Sequence, residues 1–297
     1  MLVENGSEEG MSQDQARAFP GVRSIETGRN LGFSRANNLG IFNSSGDFIL
    51  LLNSDTRMVE HSLDRMVDYM EKNEDVGALG PREVDGERNY RYSCGAFPNF
   101  FSELARKIRH YRFSLNDCNL RDALDMKYAM IRDIDWVSGS CMLLRRQALH
   151  DTGLLDENFF MYFEDIDLSS RFWKKEWKVH YLPEASIIHY GGGSTRKNPM
   201  LVMTEYRRSE IYFARKYYGC LGEAAVRFFL LLKYASYFLT KPPEFFLRKV
   251  LRQDMTRAYA TALLAKKVIV MVFLPMDVIP KEPSLKPLGE RNCLEKN

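Results

Sequence analysis

The sequence predicts an α/β domain, a mostly parallel sheet with helices on both faces, followed by a helical extension. Short apolar runs alternate with helical periodicity through the first half, as such a sheet requires. Several of these runs end in polar residues, where an open α/β sheet collects its ligands. From about residue 205 turn signals vanish, and long basic, aromatic helical patterns continue to "LTKPPEF". At 297 residues the chain is long enough for one α/β core and an appendage. Residues 1–205 are therefore expected to form the domain, 206–279 the helical extension, and the Pro- and charge-rich stretch 280–297 a disordered tail.

The elements follow in order. "MLVENGS" begins as a strand, and "VRSIETG" (22–28) is a second short one. "FSRANNLGIFNSS" (33–45) is helical and stops before Gly46, and "FILLLN" is a buried strand. In "VEHSLDRMVDYMEKN" (59–73) helical spacing puts Leu63, Met66, Val67 and Met70 on one face, and "VGALGP" is the next strand. Residues 97–133 are irregular, aromatic and basic, and read as an insertion or a substrate-facing lobe. "WVSGSCMLLRR" (136–146), a helix through "MYFEDIDLSSRFWKK", and two short strands, "KVHYL" and "ASIIH", complete the domain.

Composition excludes several classes of function. A balance of 42 Lys and Arg against 39 Asp and Glu leaves +3, too small to imply a nucleic-acid partner. Five cysteines without a Cys-x-x-Cys pair argue against a zinc cluster or a disulfide framework and fit a reduced, cytoplasmic setting. No signal peptide is visible in the first residues. The most apolar stretches are 223–239, which carries Arg227 and Lys233, and 268–274, which is too short; neither reads as a membrane span. No Gly-x-Gly-x-x-Gly follows a strand, so a dinucleotide-dependent oxidoreductase is disfavoured.

Three strand ends carry candidate chemistry: "NGSEEG", Asp55 in "NSDT", and His189 after "ASII". Asp55 alone reads equally as a solvated turn residue or as a ligand. Mg²⁺ or Mn²⁺ needs oxygen donors, and Asp55, His189 and a ligand's diphosphate would make a substrate-dependent site. A lone histidine is more often packed than ligating. The "GGGST" that follows suits a phosphate or a lid but lacks the lysine of a P-loop. In "YFEDIDLSSR" (162–171), Asp167 and Arg171 are spaced i, i+4 and make an ordinary ion pair that contributes little at a surface. Asp165 is either a helix cap or, with Glu164 among Phe159, Phe160, Tyr162 and Phe163, a carboxylate whose raised pKa suits proton abstraction.

In order and spacing, "VENGSEEG" (3–10), "NLGFSRANNLG" (30–40), "ILLLNSDT" (49–56), the segment 136–171 and "IIHYGGGST" (187–195) resemble the inverting family-2 glycosyltransferases of the rhamnosyltransferase-like branch. The resemblance covers about two thirds of the chain and implies a GT-A (Rossmann-like) fold. It implies that Glu4 and Asn5 face the donor's base and ribose and that Asn30, Asn37 and Asn38 line the nucleotide pocket. Asn53-Ser54-Asp55 takes the place of an Asp-x-Asp motif, so Asp55 would hold Mg²⁺ or Mn²⁺ against the donor's diphosphate. Glu164-Asp165 matches the family's Glu-Asp pair, whose Asp is the general base, and His189 matches a histidine that is a metal ligand in some members. Family members begin with one further strand and helix, so the chain is expected to start in the family's second strand, with Glu4 where the family has Asp.

The implied activity is transfer of a sugar such as rhamnose from a nucleotide-diphosphate donor to a glycan or lipid-linked acceptor, in cell-surface polysaccharide synthesis. Aromatic and aliphatic faces punctuated by Lys and Arg in residues 206–275 read equally as a helical pair packed on the domain or as a peripheral contact with the inner face of the cell membrane. The rival from another class is a non-catalytic, membrane-associated protein of the same fold, which would fold stably yet transfer no sugar.

Overall fold

The structure, a computed structural model, describes residues 1–6, 19, 21–99, 126–191, 199–240 and 256–274. The chain divides into two compact units, Met1–Phe213 and Ala214–Asn297. In the first, strands β1 (Leu2–Glu4) and β2 (Ser24–Glu26) pair in parallel, and helix α1 (Phe33–Phe42) packs on β1. The main sheet holds β3 (Phe48–Leu52), β4 (Thr56–Met58), β5 (Val76–Val84), β9 (Cys141–Arg145) and β10 (Lys178–His189) in the order β3-β9-β5-β10-β4, with β7 (Arg132–Asp133) added to β10. Strands β6 (Cys94–Gly95) and β8 (Trp136–Val137) form a separate ribbon. Helices α2 (Ser62–Lys72), α3 (Arg146–Thr152) and α4 (Glu164–Lys174) cover the main sheet.

Strand alternation explains the two cores. Ile49, Leu51, Met142, Leu144 and Ala78 face one side and pack with Ala148, Leu149, Leu168 and Phe172 of α3 and α4. Leu143, Cys141, Leu79 and Ile187 face the other and pack with Met66 and Met70 of α2. Burial of each such large side chain contributes roughly 1.5–3 kcal/mol. Helices on both faces, as expected, follow from this division.

Four expectations are corrected. The sheet is more mixed than a mostly parallel one: β5 and β10 are parallel, whereas β9 is antiparallel to both β3 and β5, and β4 and β7 are antiparallel to β10. "KVHYL" and "ASIIH" are one strand, β10, with an irregularity between Leu182 and Ser186. Strand β5 runs through Pro81 to Val84 because Pro81 sits where the ladder shifts register. Leu63, grouped with the buried face of α2, is 40% exposed.

Residues Pro199–Thr240 form helix α5, interrupted at Gly219, whose φ of 66° is left-handed. Within the first unit, its early residues brace the approach to α4: Ser209 donates to the Met161 carbonyl (2.8 Å) and Tyr212 to Asp156 (3.0 Å). In the second unit, Leu230, Tyr234, Ala265, Val268 and Met271 are buried, and Arg227 donates to the carbonyls of Met271 and Val272 near the end of α6 (Thr256–Phe273). Most of the expected 97–133 lobe, residues 192–195 of "GGGST" and the tail from Pro280 lie outside the described residues.

Candidate active site

A cavity of about 840 Å³ opens in the first unit, lined among others by Asn53, Asp55, Gly139, Glu164, Asp165 and His189. Four chain segments far apart in sequence thus meet at one space.

Strand β3 ends at Leu52, and a tight turn follows in which the Thr56 N–H donates to the Asn53 carbonyl (3.2 Å). Asn53 is tied back to β9 by its N–H on the Ser140 carbonyl (2.9 Å). Asp55 stands between them and the antiparallel start of β4, so its carboxylate meets the end of β10: Asp55 Oδ1 lies 3.1 Å from His189 Nε2. The other ring nitrogen, Nδ1, is 2.5 Å from Oε1 of Glu83, which is buried at the end of β5. Glu83 Oε2 accepts from the Ser140 hydroxyl (2.7 Å), and Arg91 stands 3.5 Å from Oε1 while donating to the His189 carbonyl (2.7 Å). The hydrogen bond with Glu83, helped by the charges of Glu83 and Asp55, raises the His189 pKa.

A carboxylate oxygen and an imidazole nitrogen at this separation suit Mg²⁺ or Mn²⁺. Glu83 on Nδ1 leaves Nε2 facing Asp55, the way a ligating imidazole is commonly held. Among the described residues no three His, Cys, Asp or Glu side chains form a cage of their own. Among the described residues Asp55 and His189 are thus two candidate donors, and a cation held there would need further oxygens, such as those of a phosphate and water.

Asp165 comes from the other wall. The two residues before α4, Tyr162 and Phe163, both hold left-handed φ values, 68° and 70°, which cost side-chain-bearing residues energy and survive only in a braced segment. The first turn of α4 follows directly and lines the cavity with Glu164 and Asp165. Asp165 Oδ1 accepts from the Ile166 N–H (2.8 Å) and Oδ2 from the Gly139 N–H (3.2 Å). Gly139 is tight here, since an added Cβ would lie 3.0 Å from the Phe33 ring. Burial raises the Asp165 pKa against the pull of these two N–H groups. Glu164 is raised well above the carboxylate range by burial and then by the charge of Asp165. Its Oε2 is buried without a hydrogen-bond partner. Two N–H groups stabilise the charged form of Asp165, and Glu164 has no such donor on Oε2.

Asp167 differs from expectation. Its pair with Arg171 forms (3.0 Å), but Asp167 is completely buried, and Arg171 also donates to the carbonyls of Thr152, Gly153 and Leu154. The pair ties α4 to the end of α3 and is no surface decoration.

Glu4, Asn5, Asn30, Asn37 and Asn38 are not among the residues lining the cavity. Asn5 accepts from the Leu31 N–H (2.7 Å) and donates to Asn30 and to the Gly32 carbonyl, while Asn30 accepts from the Gly32 N–H (2.9 Å). Together they shape the loop into α1, with the Glu4 carbonyl accepting from Thr27. Asn37 donates to the Phe33 carbonyl one turn back (2.9 Å). Asn38 is buried, and both ends of its amide are used, donating to the Leu155 carbonyl (2.8 Å) and accepting from the Leu155 N–H (3.1 Å). Sequence reasoning missed Glu83, Arg91 and Gly139. A charged residue just after an apolar run could have pointed to Glu83, but Pro81 reads as the end of that run.

The model of the glycosyl transferase family group 2 matches residues 48–276, more than half of the chain. The N-acetylglucosaminyl-diphospho-decaprenol L-rhamnosyltransferase of Mycobacterium tuberculosis is 29% identical over 224 residues, which cover 72% of this chain and 73% of that protein. The rhamnosyltransferase WbbL of Escherichia coli is 28% identical over 56% of this chain and 63% of its own. Among solved structures, the mannosyltransferase PcManGT from Pyrobaculum calidifontis in complex with GDP-Man and Mn²⁺ aligns with a TM-score of 0.45 at 11% identity, covering 88% of this chain and 72% of that one. On the extent of the family match, and as the motifs led one to expect, the chain belongs to the glycosyl transferase family group 2.

Proposed function

We propose that the protein transfers a hexosyl residue, rhamnose or a close relative, from a nucleotide-diphosphate donor to a glycan or lipid-linked acceptor with inversion, in the synthesis of a cell-surface polysaccharide. One observation carries this reading: Asp165 and the Asp55–His189 pair line the same cavity. The names of the rhamnosyltransferase relatives support the sugar, and the diphospho-decaprenol in one of them supports the acceptor class.

Inversion requires the acceptor hydroxyl to attack the anomeric carbon from the face opposite the departing diphosphate. Asp165 takes the hydroxyl proton as the new C–O bond forms and the bond to the diphosphate breaks. The Gly139 and Ile166 N–H groups hold that carboxylate in place. Asp55 and His189 would hold Mg²⁺ or Mn²⁺, which when bound offsets the charge of the leaving diphosphate.

Two variants test this. Asp165→Asn is expected to lower turnover by about 10²–10⁴ while nucleoside diphosphate still binds; Asp55→Ala is expected to weaken Mn²⁺-dependent binding in calorimetry. Unchanged binding in Asp55→Ala, or normal turnover in Asp165→Asn, overturns the assignment.

No helix among the described residues is long and apolar enough to cross a membrane. Peripheral contact with the cytoplasmic face of a membrane is supported by Leu221, Phe228 and Leu232, which are exposed along one side of α5 beside Lys233. Flotation with anionic liposomes tests it, and a chain that stays at the bottom of the gradient refutes it.

A further inference from the structure

Two cations in the cavity have no role in the chemistry above. Arg132 Cζ lies 5.6 Å from the centre of the Tyr128 ring and Lys127 Nζ 5.4 Å from the same centre, and both side chains line the cavity. Tyr128 is a rigid support: it is buried, stacked on Tyr90 with ring centres 5.5 Å apart, and set edge-on to Tyr181 at 5.6 Å. Arg132 Nε is closed off from solvent and has no hydrogen-bond partner. Among the described residues neither cation is paired with a carboxylate.

The nearby acids are already engaged. Asp133 lies 2.7 Å from His180 Nε2, and Asp135 accepts from the Phe97 N–H at 2.7 Å. Arg91, the other cation on the wall, is taken by Glu83 and the His189 carbonyl. Two like charges on one aromatic ring, lining one cavity and paired with no carboxylate among the described residues, form an arrangement that an anion would complete. An arginine fork beside a lysine suits phosphate oxygens.

We propose that Arg132 and Lys127, seated on Tyr128, form a phosphate subsite that receives the phosphate or diphosphate of a lipid-linked acceptor. The inference rests on the transferase reading above and adds to it the part of the acceptor that the enzyme grips. The donor's diphosphate has its own site at Asp55 and His189, so a second anion site in the same cavity points to a second phosphorylated substrate. Gripping the acceptor at its phosphate would position its sugar hydroxyl before Asp165.

The test uses the full chain with geranyl diphosphate as a soluble probe, titrated without divalent cation, and a nucleoside diphosphate (UDP, dTDP and GDP in turn) with Mn²⁺ in a separate titration. The double variant Lys127→Gln, Arg132→Gln is expected to bind geranyl diphosphate at least about tenfold more weakly and the nucleotide as wild type does. Lys127→Gln alone, at an exposed position that leaves folding intact, is expected to lose several-fold, and Arg132→Lys, which keeps the charge but not the fork, to lose affinity yet less than the double variant does. Wild type that does not bind the probe, or a double variant that binds it equally well, overturns the proposal. So does a loss confined to the nucleotide, which would assign the cations to the donor. Failure of the transferase reading shows elsewhere, as Mn²⁺-dependent nucleotide binding that Asp55→Ala leaves untouched.

Discussion

Replacing Glu83 by Gln removes one negative charge from a buried position that serves His189, Ser140 and Arg91 together. Charge-assisted hydrogen bonds contribute about 1.5–3 kcal/mol each, and a neutral amide keeps one acceptor but not the charge. Arg91 is more than a third exposed and re-solvates, so its share is small. The main loss is the bond to the His189 imidazolium. Glu83 holds that pKa above the ordinary 6.5, so the folded protein binds the proton more tightly than the unfolded chain. Its contribution is then fully present below about pH 6.5 and disappears as pH rises through the raised value. The expected cost of Glu83→Gln is about 2–3 kcal/mol at pH 6, or roughly 4–12 °C in Tm for a unit of this size, shrinking to about 1 kcal/mol at pH 9. Urea denaturation of both proteins between pH 6 and 9 measures it. Mn²⁺-dependent nucleotide binding should fall about 10–100-fold, as for other groups that orient a ligating imidazole. A stability difference constant with pH to within about 0.5 kcal/mol, together with wild-type nucleotide affinity, would refute the reasoning.

Asp167→Asn leaves Arg171 without its buried counter-charge and is expected to cost about 3–5 kcal/mol in denaturant titration; a loss below about 1 kcal/mol would mean that the carbonyls on Arg171 suffice. Gly32→Ala meets both a left-handed φ of 82° and the Phe160 carbonyl at 2.5 Å from the added Cβ, so expression of folded protein should drop and stability fall by at least about 1–3 kcal/mol. The acid limb of the turnover profile should lie above the ordinary carboxylate range, because Asp165 must be ionised to accept a proton and burial raises its pKa. A limb at the ordinary value would point to a different base.

Asp55, Asp165 and His189 were legible because each follows a local pattern, an apolar run or an aromatic cluster that ends in a charge. Asn5, Asn30 and Asn38 were legible as polar residues at fixed spacing but not in their roles. Whether an amide faces a ligand or holds a loop depends on what the fold brings opposite it, and for Asn38 that is Leu155, 117 residues away. Lys127 and Arg132 fall in the basic, aromatic stretch 97–133 that read as an insertion or a substrate-facing lobe, but nothing singled them out there, since the ring they share is fixed by packing against Tyr90 and Tyr181 from other parts of the chain. Glu83 was hidden by Pro81, which reads as the end of a strand.

The same irregularity that hides Glu83 also sets His189. On β10, Leu182 pairs with Pro81 and Ser186 with Arg82, so Pro183, Glu184 and Ala185 are extra residues with no partner on β5. Three is an odd number, and side chains alternate with period two, so the insertion reverses the facing of everything after it. Leu182 and Ile187 consequently share one core although unbroken alternation would separate them. His189 shares the face of Ile187, whose partner is Glu83, and the two side chains meet. In an unbulged strand His189 would point to the opposite face, away from both Glu83 and Asp55. The bulge is held from outside by α2 and the turn before it: the Ser62 hydroxyl accepts from the Ser186 N–H, the Val59 N–H donates to the Ser186 carbonyl, and Arg65 donates to the Glu184 carbonyl. The place of His189 in the proposed cation site therefore depends on contacts at the start of a helix far along the chain from it.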